Sequence, residues 1–449
     1  MQENYLSQLN NNEIPLYMRV FEYYKQLICD GKLQKGAKLP SIRRCAEELS
    51  ISRTTAEAAY FQLSADGYIV SKPQSGYFVT DIASRNKNNK TADNKKNENT
   101  DRIIYDFASL SADRESFDFA LWRRYIKSAL REDERLLSYG EAQGESELRD
   151  ALCKYITTQR NAVCTKDNIV IGAGVQSLLH ILCSIMPHKK SVYFKDPSFL
   201  QGIAVFYDHG FEVTEDIKKA DIIYISPSHT NSWGDVMSTP ERLELIRFAE
   251  KEDKLIIEDD YDSEFGYFNR PSPSMQGLDG GRNVIYISTF SKLLLPSIRL
   301  SFMILTDDVL NEYRKKSALY NQTASKTEQI ALCQFIRDGH LSLRVRKIKK
   351  LYAQKTKQLS IIFKKVFKDK AKIHIGETGF VLRLEINSTL SADEIVYRAR
   401  KNGIAIKSAD SCSKHPQILS SCSAVSTKEL SRAAECLYSC IFDDYQAEM

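Results

Sequence analysis

No run of apolar residues in this 449-residue chain approaches the ~18 that a membrane-spanning helix needs. Residues 1–15 carry neither a basic leader segment nor an apolar one, so the sequence reads as cytoplasmic, with no membrane partner. None of the ten cysteines forms a Cys-x-x-Cys pair, which removes the ligand frame of zinc ribbons and dithiol redox motifs. No metal site is expected, and the thiols are expected reduced and mostly buried. Tryptophan is scarce, with two residues, yet 43% hydrophobic, 10% aromatic and 27% charged residues are the proportions of an ordinary globular protein. Charge of one sign is also not in large excess: the net charge of +5 identifies no partner by itself. Its location says more, because Lys32, Lys35, Lys38, Arg43, Arg44 and Arg53 face only Glu47 and Glu48 within residues 31–53.

At ~150 residues per domain the length suggests about three folding units. The clearest boundary is ASRNKNNKTADNKKNENTD at 83–101, which has no aromatic residue and no Val, Ile, Leu or Met. Such a tract cannot bury a core; it predicts a polar linker over 81–103, with a root-mean-square span of ~25 Å and an extended reach of ~65 Å.

Ahead of the linker, Leu16, Val20, Tyr24, Leu27 and Ile28 recur at helical spacing until Asp30-Gly31 ends the pattern. Pro40-Ser41 opens a second helix with Ile42, Cys45, Ala46 and Leu49 on one face, and Ser52 is placed to cap a third that runs to Ser64. Runs 68–72 and 77–80 flank Pro73-Gln74-Ser75-Gly76 as a hairpin. Three helices and a hairpin over 12–80 predict a winged helix-turn-helix. A recognition helix needs short polar donors and a cation in its first turn, which Ser52-Arg53-Thr54-Thr55 supplies. An N-cap beside a solvated arginine is the plainer alternative. From Leu16 to Val79 the segment resembles the GntR family of regulators, through P-L-Y at 15–17, L-P-S-I-R at 39–43, S-R-T-T at 52–55 and the S-G-Y-F-V of the wing. The resemblance implies a double-stranded DNA partner gripped by Arg43 and Arg53, assisted by Ser41, Thr54 and Thr55, with the Gly76 wing in the minor groove.

After the linker, apolar β-rich runs at 168–172, 191–194, 221–226, 254–258 and 283–288 alternate with helical patterns, predicting a largely parallel sheet. From about 309 to 372 long Lys/Arg-rich amphipathic helices are expected, and runs at 379–386 and 403–406 predict a smaller α+β subdomain. The chemistry concentrates between 256 and 299. There I-I-E-D-D-Y-D-S-E-F is followed by S-T-F-S-K-L-L-L-P-S-I-R. Lys292, past an apolar run and ahead of three leucines, stands where desolvation favours an amine nucleophile of the Schiff-base type. Asp259 ends a buried strand, where ligands bind α/β sheets, and a carboxylate there could keep a pyridinium protonated. Without the lysine, Glu258-Asp259-Asp260 reads equally as a metal cluster or an acidic strand end.

This region resembles the fold type I pyridoxal-phosphate enzymes. The order of winged helix, linker and aminotransferase-like domain resembles the MocR/GabR regulators over nearly the whole chain. The fold implied is an N-terminal α+β winged helix-turn-helix followed, over 104–449, by an α/β aminotransferase-like domain. Its large subdomain would cover about 150–308 and its small one 104–149 with 309–449. Pyridoxal 5'-phosphate is the implied cofactor, carried by Lys292, with Asp259 on the pyridine nitrogen and Tyr261 on the phenolic oxygen. Arg299, Thr289 and Ser291 would bind the phosphate, joined by the turn Gly174-Val175-Gln176 at a helix N-terminus. Phe199 falls where the family stacks an aromatic on the ring, with a core phenylalanine as the alternative. Asn231 falls near the asparagine that touches the phenolic oxygen, although MocR-like chains usually read P-S-H-Q-F-P-T-G there. A homodimer is implied as well.

The chain departs from the pattern where aminotransferases hold the substrate carboxylate. Residues 418–424 read I-L-S-S-C-S-A, no arginine occurs from 401 to 431, and Gln201 stands two residues past Phe199. Arg383 or Lys407 are the substitutes in reach. A carboxylate without a cation in a desolvated site is strongly disfavoured. The sequence therefore favours a DNA-binding regulator that senses pyridoxal phosphate itself, or an amine or amino-acid effector, over an active aminotransferase with an accessory DNA-binding domain. A GntR-type regulator sensing another metabolite is the third reading.

Overall fold

Residues 15–73, 75–81, 103–109, 116–186, 188–231, 234–261, 263, 272–376, 381–409 and 415–443 are described by the computed structural model. The chain divides into two units, Met1–Thr100 and Asp101–Met449. Most of the linker expected over 81–103, and Gln74 in the wing, lie outside the described residues.

In the first unit, α1 (Leu16–Cys29), α2 (Ile42–Glu48) and α3 (Arg53–Ala65) precede the antiparallel pair β1 (Ile69–Lys72) and β2 (Gly76–Val79). The core gathers Val20, Phe21, Tyr24 and Ile28 of α1 against Ala56, Tyr60 and Leu63 of α3. Leu16, expected on the buried face of α1, is exposed, and Phe21 fills the core instead. Only Cys45 of α2 is buried, so this short helix leans on the core by one edge and leaves its cations in solvent. Tyr60 is wholly buried and its hydroxyl donates to the Pro40 carbonyl at 2.9 Å, which fixes the entry of α2 against α3. That bond joins the two helices whose mutual angle a helix-turn-helix depends on.

The second unit opens with β3 (Tyr105–Asp106), α4 (Phe119–Ala129) and α5 (Ser146–Arg160). The alternating region then runs β4 (Ile169–Gly172), α6 (Val175–Ile185), β5 (Ser191–Phe194), α7 (Leu200–Asp208), β6 (Glu212–Val213), β7 (Ile222–Ile225), α8 (Thr239–Lys251), β8 (Leu255–Asp260), α9 (Met275–Asp279), β9 (Val284–Thr289) and β10 (Ser301–Ile304). These strands make a seven-stranded sheet ordered β4-β10-β9-β8-β7-β5-β6. The sheet is largely parallel, as expected, with β10 antiparallel to both of its neighbours. The sequence reading did not include β6, a run of two residues that carries no period, or the four-residue β10.

Beyond the sheet come α10 (Asp307–Lys316), α11 (Lys326–Arg337) and the 28-residue α12 (His340–Phe367), in the stretch expected to hold long basic helices. The smaller layer holds β11 (Ala371–Ile375), β12 (Val381–Ile386), α13 (Ala392–Lys401), β13 (Ile404–Ala405), β14 (Lys407–Ser408), β15 (Gln417–Ser421) and α14 (Leu430–Phe442). The single strand expected at 403–406 is split: β13 pairs with β3, whereas β14 joins the sheet β11-β12-β15-β14. Among the described residues no helix is long and apolar enough to cross a membrane.

Candidate functional site

Since β10 alone runs against the others, six strands deliver their carboxyl ends to one edge of the sheet, the place where α/β folds bind ligands. Gly172, Phe194, Ile225, Asp260 and Thr289 are the strand ends that meet there. Side chains alternate along β8, so Asp259 faces one side while Glu258 and Asp260 face the other. Asp259 lines a cavity of about 300 Å³, and its Oδ2 accepts a hydrogen bond from the Tyr224 hydroxyl at 2.6 Å. On the opposite side, Asp260 forms a buried ion pair with Arg160 at 2.8 Å and accepts from the Tyr286 hydroxyl at 2.7 Å. Glu258 accepts the backbone N–H groups of Met275 and Gln276, both at 2.9 Å. Burial, reinforced by Asp260, pushes its carboxyl up to about 7. The three carboxylates therefore do not converge, and the metal-cluster alternative gains no geometry.

Lys292 follows β9 in a turn anchored by the buried Leu293 and Leu294. Its Nζ stands 4.2 Å from the centroid of the Tyr261 ring, and His229, buried, packs on the same ring at 5.5 Å. The hydroxyls of Thr289 and Ser291 lie 3.1 Å apart in that turn. Arg299 has left-handed backbone angles (φ 53, ψ 40), which return the chain into β10 and send its guanidinium to the far side of the turn. There Nη2 donates to the Ala173 carbonyl at 3.3 Å.

Gly174 makes this approach possible. A Cβ on it would stand 2.2 Å from Arg299 Nη2, and its φ of +96 with ψ of 165 belongs to a region that glycine alone occupies readily. It stands two residues past β4 and opens α6, whose N-terminus has no side-chain cap. Val175 lines the cavity and Gln176 is exposed in the first turn. Uncapped N–H groups, a guanidinium and two hydroxyls form a donor set suited to a phosphate dianion. Phe199 is set by Gly202, where a Cβ would meet the Phe199 ring at 2.2 Å. The ring lies back on α7 and stacks on Tyr224 with centroids 5.7 Å apart.

A second cavity of about 520 Å³ shares Asp196, Ser198 and Tyr261 with the first. Lys407, Ser420 and Ser421 are on its wall, and no arginine is among the described residues that line it; of the substitutes weighed from the sequence, Lys407 reaches it and Arg383 does not. Gln201 is exposed on α7. Asn231 is not brought into either cavity: its amide donates to Asp235 Oδ2 at 2.8 Å within its own turn. Tyr224, which sequence reasoning passed over, holds Asp259. Its only signal is a hydroxyl-bearing ring in the apolar run I-I-Y-I, beside the strand that carries the carboxylates.

In the first unit, Ser52 caps α3: its hydroxyl accepts from Thr55 N at 3.1 Å and lies 2.8 Å from the hydroxyls of both Thr54 and Thr55. Ser41 caps α2 in the same way, through Arg44 N at 3.2 Å. Arg53 is exposed at the start of α3, while Arg43 is engaged at 3.1 Å by Glu47 one turn on. Gly76 opens β2 beside Lys38.

Residues 16–79 match the bacterial regulatory proteins, gntR family, and residues 113–437 match aminotransferase class I and II. The chain is 34% identical over 412 residues to the uncharacterized HTH-type transcriptional regulator YdeL of Bacillus subtilis, covering 88% of this chain and 89% of that one. It is 27% identical to the probable rhizopine catabolism regulatory protein MocR of Rhizobium meliloti, over 86% and 85% of the two chains. Among solved structures, the kynurenine aminotransferase of Pyrococcus horikoshii superposes with a TM-score of 0.64 at 19% identity, covering 81% of this chain and 95% of that one.

Proposed function

The chain belongs to the MocR-like transcriptional regulators, in which a GntR helix-turn-helix precedes an aminotransferase class I and II domain, and we propose that Lys292 is where its pyridoxal phosphate is carried. The observation that carries this reading is the approach of Arg299 to Gly174 at the uncapped start of α6, on the sheet edge that also bears Asp259 and Lys292. The fit is chemical as well as steric. The phosphate-type donors lie at one end, an aromatic stack of Phe199 on Tyr224 forms a wall, and Asp259 is held by the Tyr224 hydroxyl.

When bound, the cofactor would supply an aldehyde carbon as an electrophile for amines, held by Lys292. The chain's own groups do the rest. Arg299, Thr289, Ser291 and the N–H groups of Val175 and Gln176 orient the phosphate. Asp259 holds the proton on the ring nitrogen, and Tyr261 donates to the phenolic oxygen while its ring shields the Lys292 amine. The 520 Å³ cavity beside it takes the effector, either pyridoxal phosphate chemistry alone or an amine or amino acid. The lack of any arginine from 401 to 431, and among the described residues lining this cavity, supports sensing over transamination of ordinary α-amino acids, whose carboxylate is suited to a guanidinium.

The helix-turn-helix binds double-stranded DNA, with Arg53, Thr54 and Thr55 toward the major groove, Ser41 and Arg43 at phosphates and the Gly76 wing in the minor groove. Arg43 exchanges Glu47 for phosphate at small cost, because the exposed pair is worth under ~1 kcal/mol. A homodimer is supported by Leu137, Tyr139 and Leu319, which are 89%, 100% and 81% exposed. Lys326 and Gln322 tie the two segments that bear these residues together, through the carbonyls of Arg135, Ser138 and Ala142. Borohydride reduction of the full-length protein with pyridoxal phosphate, followed by peptide mass analysis, is expected to place the label on Lys292, and Lys292→Ala to abolish it. Arg53→Ala is expected to weaken DNA binding with the cofactor absorbance intact. Absence of any label would leave a winged-helix regulator with another sensory chemistry.

A further inference from the structure

We infer that the groove between α4 and α11 of the aminotransferase-like unit is a second DNA-contact surface, which takes the sugar–phosphate backbone of duplex flanking the operator. The inference rests on the DNA-binding reading above and adds a site to it. The groove has a volume of about 800 Å³ and is lined by Arg123, Arg124, Lys127, Arg131 and Arg337. Helix α4 reads FALWRRYIKSA, with three cations and no acidic residue. Arg123 and Lys127 stand one turn, about 6 Å, apart on it, and Arg131 lies just past its end.

Exposed cations elsewhere on the chain are commonly neutralised within a turn, as in Arg43–Glu47, Arg44–Glu48, Lys154–Asp150 and Lys315–Glu312. In this groove the nearby carboxylates are engaged otherwise. Asp118 caps α4 by accepting from Leu121 N, Asp338 accepts from the Tyr125 hydroxyl, and Glu132 pairs with Arg135. Arg337 alone has an ion-pair partner among the described residues, Glu147, at a loose 3.7 Å. Arg123 Nε donates to the Phe119 carbonyl at 3.2 Å and Arg124 lies over the Tyr125 ring, so Arg123, Arg124, Lys127 and Arg131 keep their charge without a carboxylate partner among the described residues, in an open trough rather than an enclosed pocket. A row of cations of this length suits a polyanion with one negative charge per ~1.7 Å of axis, and DNA is the polyanion this family of chains binds. A small anion would need convergent donors around one point, which this row does not provide.

The test uses the full-length protein and an operator selected with it from random duplex DNA, trimmed to the minimal site or extended by flanking sequence. Arg123→Ala/Lys127→Ala/Arg131→Ala should bind the trimmed duplex like the wild type. On the extended duplex its log K against log[salt] slope should be shallower by about 2–3, because each lost phosphate contact removes ~0.9. Its affinity for that duplex at low salt should fall at least ~10-fold. Arg123→Lys/Arg131→Lys should retain the wild-type slope. Equal slopes for wild type and the triple alanine variant on the extended duplex overturn the inference, as does an equal loss on both duplexes. Failure of the wild type to bind any selected duplex would instead overturn the DNA-binding reading itself.

Discussion

Replacing Gly174 by alanine separates the cofactor cradle from the fold that builds it. The backbone at Gly174 has φ +96 and ψ 165, and holding a non-glycine residue there costs on the order of 1–3 kcal/mol. That term weakens the folded state whether or not a cofactor is bound. The second term is specific. The new Cβ would sit 2.2 Å from Nη2 and 2.9 Å from Cζ of Arg299, so the guanidinium must leave the cup. Losing its charge-assisted hydrogen bonds to a phosphate costs ~1.5–3 kcal/mol, a rise of about 10–150-fold in the Kd for pyridoxal phosphate. The assay is an absorbance titration of full-length protein, paired with thermal denaturation of the cofactor-free form. Gly210→Ala is the control: its φ is +77 and nothing lies within 4 Å of its Cβ, so it should lose stability and keep cofactor affinity. A Kd for Gly174→Ala within about threefold of wild type would refute the argument that Arg299 and this turn form the phosphate site.

Arg160→Ala should lower the melting temperature of the second unit by roughly 5–10 °C, because it leaves Asp260 buried without its guanidinium, a loss of ~3–5 kcal/mol; calorimetry checks this, and a change below about 2 °C would speak against the pair as a structural clamp. Glu258 gives a pH signature. With its carboxyl raised to about 7, the folded state keeps a proton that the unfolded chain releases from ~4.5 upward, so the group's stabilising contribution is present at low pH and lost as pH rises toward 7. Glu258→Gln, which forfeits one acceptor for the N–H groups of Met275 and Gln276, should therefore be less stable than wild type at pH 5, with the gap narrowing by pH 8; a gap independent of pH would contradict the raised value.

Much of the site was legible because its residues are local in sequence. Asp259, Tyr261, Thr289, Ser291, Lys292 and Arg299 all lie within 44 residues that enclose two adjacent parallel strands, so reading the strands as neighbours brings the side chains together. Tyr224 was not legible. It depends on the pairing of β7 with β8, in which Tyr224 opposes Ile257, two residues before Asp259, and no local pattern states that register. Asn231 shows what a motif position leaves out: its amide donates to Asp235, four residues on, a local partner that matching the motif does not register. The two-residue strands β6 and β14 carry no period, and only the neighbouring strands fix them.

No guanidinium lines the 520 Å³ cavity among the described residues, which bears on what kind of regulator this is, and thermodynamic linkage turns it into a measurement. A cofactor or effector can change DNA affinity only through unequal affinity for two arrangements of the chain, and by reciprocity DNA must change the affinity for that ligand by the same factor. A sensor with a typical coupling of 1–3 kcal/mol would bind pyridoxal phosphate, or its effector, ~5–150-fold more or less tightly in the presence of saturating operator DNA. An aminotransferase merely tethered to DNA by a polar linker has no such coupling, and the two affinities would be equal. Titrating the full-length protein with pyridoxal phosphate, with and without operator duplex, therefore decides between the readings without knowledge of the effector. Equal affinities would return this cavity to the status of an enzyme site with an unusual substrate. Unequal ones would explain why a chain with these phosphate-type donors, a strand-end carboxylate and Lys292 has no arginine from 401 to 431.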